Sequence, residues 1–171
     1  NLPEQVHGVG VLVVEAAGPG LRVHGGADAL VTRHQKVAIG VVVADCMPVL
    51  LADADAGVVA AAHAGRRGLA AGVLQVTVAA MQGLGADPSR ISAVIGPSIC
   101  GRCYEVPAEL QDEVTARVPD AASTTRSGTP GLDLPAGASG ALARAGVTQV
   151  TLPASCTAED RRFYSYRRDG V

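Results

Sequence analysis

Apolar residues fall along this chain in short runs separated by glycine, proline and acidic turns. Val49–Ala52 and Val58–Ala62 are too short for helices and carry β-branched residues at key points. They predict two buried strands joined through Asp53, Asp55 and Gly57. The same reading makes strands of Val9–Val14, Arg90–Ile95 and Val147–Leu152, with a shorter run at Ala29–Thr32 behind the turn Gly25–Asp28. Val37–Val43 is almost wholly apolar, as expected of a strand covered on both faces. Leu69, Val73, Val76 and Ala80 stand at helical spacing, widened by Leu74 and Met81, and predict a helix from Leu69 to about Leu84. Pro107–Val118 and Leu134–Ala145 predict two more, the second ended by Gly146. Pro119–Pro130 reads as a surface loop. Phe163–Gly170 alternates aromatic and polar residues like a half-buried strand.

The first two strands carry reactive side chains. A hairpin running from Cys46 down to Gly57 and back to His63 places a thiol and an imidazole at one sheet edge. Pro48 predicts a kink beside Cys46 that exposes the sulfur, the plain alternative being a buried structural cysteine. His7 starts a strand and on its own reads as a surface or hydrogen-bonded residue; His24 and His34 read as solvated. After His63 come Gly65, Arg66, Arg67 and Gly68, then a helix. Amide groups at a helix start beside two arginines suit an anion. Glycines for close packing and solvated arginines explain the same pattern without a ligand. Cys100 and Cys103 have zinc-knuckle spacing, but the sequence offers no second pair at the usual distance and no local histidine. They and Cys156 are therefore expected to be reduced and free of metal.

Composition narrows the class. A chain of 171 residues, 48% hydrophobic and 18% charged, can bury a sizeable core and is not disordered. A formal charge of −2 gives no electrostatic reason to expect nucleic acid or an anionic membrane. No apolar run reaches the ~20 residues that span a bilayer, and no signal peptide is visible ahead of the first motif. Four cysteines in a chain of this size point to a reducing, cytoplasmic setting.

Five stretches, taken in order, are Gln5-Val6-His7-Gly8, Ala44-Asp45-Cys46-Met47-Pro48-Val49-Leu50-Leu51, the run from Ala62 to Gly68, the run from Ile95 to Val106, and Phe163 to Gly170. Together they resemble the laccase-domain family, known first as multicopper polyphenol oxidases and later as purine nucleoside phosphorylases. The resemblance covers nearly the whole chain. It implies an α/β fold, a compact α/β/α sandwich with a mixed sheet, similar to the catalytic domain of cytotoxic necrotizing factor toxins. It also implies one zinc or copper site at His7, Cys46 and His63. Residues 1–171 are then a single laccase-like domain. Family members carry a further segment before the first motif, whereas this chain starts almost on it, and a Trp where this sequence has Arg66.

Two histidines and one thiolate leave a fourth position open on tetrahedral zinc, the catalytic pattern. Zinc-bound water with a pKa of about 7 suits adenosine deamination. Phosphorolysis needs a phosphate under the ribose, which Arg66 and Arg67 could supply. The resemblance thus implies a zinc-dependent purine nucleoside phosphorylase with adenosine deaminase activity, its partners being a nucleoside and phosphate. The competing readings are a copper-dependent polyphenol oxidase, a metal-free hydrolase with Cys46 as nucleophile and His63 as base, and a non-enzymatic binding protein. A multicopper cluster needs more imidazoles than the four in this chain.

Overall fold

A computed structural model describes residues 1–16 and 20–170. Its centre is the expected hairpin, longer than the apolar runs alone suggest: β5 (Met47–Asp53) and β6 (Val58–Ala64) pair antiparallel along their whole length. Asp53 folds the turn, its Oδ1 accepting the backbone N–H groups of Asp55 and Ala56, and Gly57 closes it with φ of 65°. The strands ahead of the hairpin are β1 (Leu2–Pro3), β2 (Val11–Val13), β3 (Val23–His24) and β4 (Ala29–Thr32). Behind it lie β7 (Ser92–Ile95), β8 (Ala122–Thr124), β9 (Pro130–Leu132) and β10 (Gln149–Thr151). Six strands form one mixed sheet in the order β10-β7-β5-β6-β4-β2, in which the outermost pair on each side is parallel and the inner pairs are antiparallel. Two small two-stranded sheets, β1 with β3 and β8 with β9, stand beside it.

The helices are α1 (Arg66–Ala71), α2 (Val73–Gly83), α3 (Ala108–Thr115), α4 (Leu134–Arg144) and α5 (Tyr166–Asp169). The helix expected from Leu69 begins earlier and is broken at Gly72, whose φ of 97° only glycine adopts readily. Met47, Val49 and Leu51 of β5 and Val58, Ala60 and Ala62 of β6 pack against Leu69, Leu74, Val78 and Met81, with Leu132, Leu134 and Leu142 beyond them in the same core. Each such leucine, wholly withdrawn from water, contributes about 1.5–3 kcal/mol. The opposite face of the sheet leaves Leu50, Val59 and Val94 exposed. The α/β character and mixed sheet therefore hold, with α1 and α2 packed on one face of the sheet.

Four more expectations need correction. Pro119–Pro130, read as a surface loop, contains β8 and the first residue of β9, whose pairing turns this segment into a small hairpin. Val37–Val43 is not a strand. Gln5 satisfies both backbone groups of Val42, with 2.9 Å from its N–H and 2.8 Å to its carbonyl, and the Asn1 side chain donates to the Ala38 carbonyl at 2.9 Å. Side chains thus do the work of a neighbouring strand. Pro48 does not kink the chain out of the sheet: it stays in register opposite His63. Phe163–Gly170 is not a strand but a turn entering α5, capped by Ser165 Oγ on the Arg168 N–H at 3.2 Å. Among the described residues, no helix is long and apolar enough to cross a membrane.

Candidate active site

The register that pairs Pro48 with His63 sets Cys46, one residue ahead of β5, beside the last residues of β6. His7 arrives from the segment between β1 and β2 with φ of 58°, a left-handed conformation uncommon for a residue with a side chain. Asp28, fully buried, holds it there. Its Oδ1 accepts the His7 backbone N–H at 2.9 Å and its Oδ2 accepts that of Gly8 at 2.6 Å. The same Oδ1 lies 2.8 Å from His63 Nδ1. A carboxylate only accepts, so the proton of His63 sits on Nδ1 and the lone pair on Nε2, facing Cys46 and His7.

One ligand atom from each of His7, Cys46 and His63 lies within 4.8 Å of the others. Cys46 Sγ is 3.9 Å from His7 Nε2, and the two imidazoles meet edge to face with centroids 4.7 Å apart. Gly65 keeps the space between them open: a Cβ there would meet Cys46 Sγ at 2.9 Å and His7 Cδ2 at 3.0 Å. Burial pushes the Cys46 thiol up to about 11, with Asp45 and Asp28 adding to it. Burial also holds the His63 imidazolium below its ordinary value, outweighing the pull of Asp28 and assisted by His7. Burial alone would raise Asp28, but the hydrogen bonds from His63, Gly8 and His7 outweigh it and hold the carboxyl below its ordinary value.

These three side chains form one wall of a cavity of about 500 Å³, whose lining also includes Gln5, Tyr104, Leu134, Tyr166, Arg66 and Arg167. Arg66 opens α1 and faces this space; Arg67, next in sequence, is exposed and outside the lining. Arg167, which the sequence pattern did not single out, lies over the Tyr104 ring at 5.1 Å and donates to the Glu105 carbonyl at 2.9 Å. Asp45 ties this wall together. Its carboxylate accepts from Thr157 Oγ1 at 2.6 Å, Ser165 Oγ at 3.1 Å and the Arg167 N–H at 2.7 Å, and its carbonyl accepts from the Ile99 N–H at 3.0 Å.

Asp28 and Asp45 are the functional positions that motif reading passed over. In the sequence Asp28 stood only as the last residue of the turn ahead of the short run Ala29–Thr32. A second surprise lies behind the Tyr104 wall. Cys100 and Cys103 were expected to lack further ligands, but Cys156 and Glu159, each 56 positions from one of that pair, come to them. Ligand atoms of all four lie within 4.8 Å of one another.

A family model described as multi-copper polyphenol oxidoreductase laccase matches residues 1–171. A purine nucleoside phosphorylase of Streptomyces coelicolor is 52% identical over 165 residues, 96% of this chain and 68% of that protein. An adenosine deaminase from an unknown prokaryotic organism is 35% identical over 189 residues, 99% of this chain and 70% of that protein. Among solved structures, a Neisseria meningitidis protein of the DUF152 family superposes with a TM-score of 0.84 at 40% identity, covering 99% of this chain and 69% of its own. YlmD from Geobacillus stearothermophilus superposes with a TM-score of 0.86 at 31% identity, covering 98% and 67%. The chain thus spans about two thirds of the length of these relatives. With a model match along the whole chain and relatives this similar over nearly all of it, the chain belongs to the laccase-like multi-copper polyphenol oxidoreductase family.

Proposed function

We propose that this chain is a purine nucleoside phosphorylase that also deaminates adenosine, working with one zinc ion at His7, Cys46 and His63. The observation that carries the reading is a single cavity of nucleoside size lined by both the His-Cys-His cluster and two guanidinium groups. Relatives named purine nucleoside phosphorylase and adenosine deaminase support it. The donor set fits the ion: two imidazoles and one sulfur suit zinc, and the space that Gly65 leaves is where a Cβ would intrude. Asp28 completes the arrangement in the way second partners orient ligating histidines. A multicopper oxidase is disfavoured by the histidine count of four, and His24 is committed elsewhere, 2.9 Å from Asn1 Oδ1.

When bound, zinc supplies Lewis acidity and brings the pKa of water to about 7. The rest falls to the chain. Arg66 and Arg167 hold phosphate through charge-assisted hydrogen bonds. Tyr104, Leu134 and Tyr166 offer apolar surface to the purine and exclude water. In phosphorolysis a phosphate oxygen attacks C1′ of the ribose as the C1′–N9 bond breaks, and the base leaves with a proton. In deamination water adds to C6 of adenosine and ammonia departs, a reaction with no need of the arginines. A nucleophilic Cys46 is disfavoured by a thiol pushed up to about 11, because the thiolate is the attacking species.

The test is product analysis of adenosine and inosine with and without phosphate. Free base and ribose 1-phosphate should form only with phosphate. The double variant Arg66→Ala, Arg167→Ala should raise the phosphate requirement at least tenfold while sparing ammonia release. Equal loss of both activities would overturn the assigned role of the arginines, and no turnover of either nucleoside by the metal-loaded wild type would overturn the reading.

A further inference from the structure

We propose that Cys100, Cys103, Cys156 and Glu159 form a second, structural site for a thiophilic divalent cation, zinc by ligand type, which clips together two segments lining the cavity. This site is independent of the function assigned to the first.

The ligands come from two similar turns. Cys100 and Cys103 are three residues apart in one, where the N–H groups of Cys103 and Tyr104 both donate to the Cys100 carbonyl at 3.0 Å. Cys156 and Glu159 have the same spacing in the other, where Glu159 and Asp160 donate to the Cys156 carbonyl at 3.2 and 2.9 Å. The pattern is C-x-x-C paired with C-x-x-E, a knuckle pair with one sulfur replaced by a carboxylate. A parallel bridge between Ser98 and Cys156, and a bond from the Thr157 N–H to the Ser98 carbonyl at 3.1 Å, lock the two turns side by side.

The donors already face one another. Cys103 Sγ is 3.1 Å from Glu159 Oε1, and the Cys100 N–H points at Cys156 Sγ at 3.3 Å, the way a backbone amide supports a ligating sulfur. With all four donor atoms within 4.8 Å of one another, zinc–sulfur bonds of about 2.3 Å and a zinc–oxygen bond of about 2.0–2.2 Å require only a small contraction. Three sulfurs and one oxygen favour zinc over magnesium or calcium, which take oxygen ligands. Loading releases the three thiol protons to solvent and leaves the site with an excess of negative charge. Arg126, paired with Glu159, stands beside it to offset that charge.

The location gives the clip its purpose. The first turn carries Ile99 and Tyr104 into the cavity wall, and the second leads to Ser165, Tyr166 and Arg167. Without the metal, these two segments are joined by the Ser98–Cys156 bridge and the Thr157–Ser98 bond at one end, and at the other through Asp45 and by Arg167, which lies over Tyr104 and bonds the Glu105 carbonyl.

The experiment loads the full chain with zinc, removes excess ion and counts bound metal by native mass spectrometry, with zinc-edge absorption to identify the donors. Wild type should hold two ions. Cys46→Ala should retain one, bound by about three sulfurs and one oxygen. Cys103→Ser with Cys156→Ser should also retain one, bound by nitrogen and a single sulfur. Should that double variant fail to fold, Glu159→Gln and the Cys46→Ala spectrum still decide the matter, the former through faster loss of one ion to a chelator. A Cys46→Ala chain without zinc, or with zinc lacking a sulfur-rich shell, would overturn the proposal. So would a mass lower by two hydrogens, showing a disulfide among these cysteines in protein prepared with zinc. Loss of the first site alone would leave this one standing.

Discussion

Replacing Asp28 with Asn tests the geometry of the His-Cys-His cluster through a residue that never touches the metal. Three donors converge on its two carboxylate oxygens: His63 Nδ1 and the His7 N–H on Oδ1, the Gly8 N–H on Oδ2. An amide has one accepting oxygen. Whichever way it turns, its NH2 group opposes at least one of these donors in a fully buried position. Losing a bond to a charged acceptor and leaving a buried donor unmatched costs on the order of 2–4 kcal/mol. In a chain of this size that lowers the melting temperature by roughly 4–16 °C. The loss of the carboxylate also frees His63 to turn and change tautomer. Zinc affinity should then fall about 10–100-fold, or about 1.4–2.7 kcal/mol. Chelator competition on the folded variant, well below its melting temperature, reads the affinity, and thermal denaturation reads the stability. An Asp28→Asn chain that binds zinc at the first site as tightly as wild type would refute the orienting role.

Two further outcomes depend on pH. Because the Cys46 thiol is pushed up to about 11, zinc must displace a proton at any lower pH, so affinity at the first site should strengthen about tenfold per pH unit between pH 7 and 9. A flat profile in metal titrations of the Cys103→Ser, Cys156→Ser chain would contradict the thiolate ligand. Asp53 is held at about 2, with the Asp87 N–H outweighing burial, helped by the Ala56 N–H and Arg90. Its folded value lies below the unfolded one of about 3.9, so its stabilising contribution is complete above that pH and is lost as pH falls towards 2. Denaturant midpoints taken between pH 5 and 2 should fall more steeply for wild type than for Asp53→Asn, and parallel slopes would contradict this.

What could be read in advance followed from local chemistry. Short continuous apolar runs and the Asp53–Gly57 turn gave the hairpin, and the hairpin alone brought Cys46 to His63. Segment 37–43 misled because apolar character does not say where backbone groups find partners, and here Gln5 and Asn1 supply them. The terminal aromatic alternation misled for a similar reason: Ser165 caps a helical turn, while Tyr164 and Tyr166 remain exposed. Arg66 was legible as part of a glycine-arginine turn, whereas Arg167 reaches the cavity through Asp45, a contact across 122 positions. The same limit hid the partners of Cys100 and Cys103. The C-x-x-C of one turn was only half a signature, and its other half, Cys156 and Glu159, lies 56 positions away with a carboxylate in place of one sulfur.

The most direct test of the central claim joins metal occupancy to turnover. Crystals of wild type and Cys46→Ala, measured at the zinc edge, locate the ion, and phosphorolysis of inosine by the same preparations reports function. Wild type should show anomalous density between His7, Cys46 and His63 together with turnover. Cys46→Ala should lose both while keeping its fold. A variant that retains the density with no turnover would return Cys46 to the role of nucleophile, and wild-type turnover that persists with that density absent would contradict the metal-dependent account altogether.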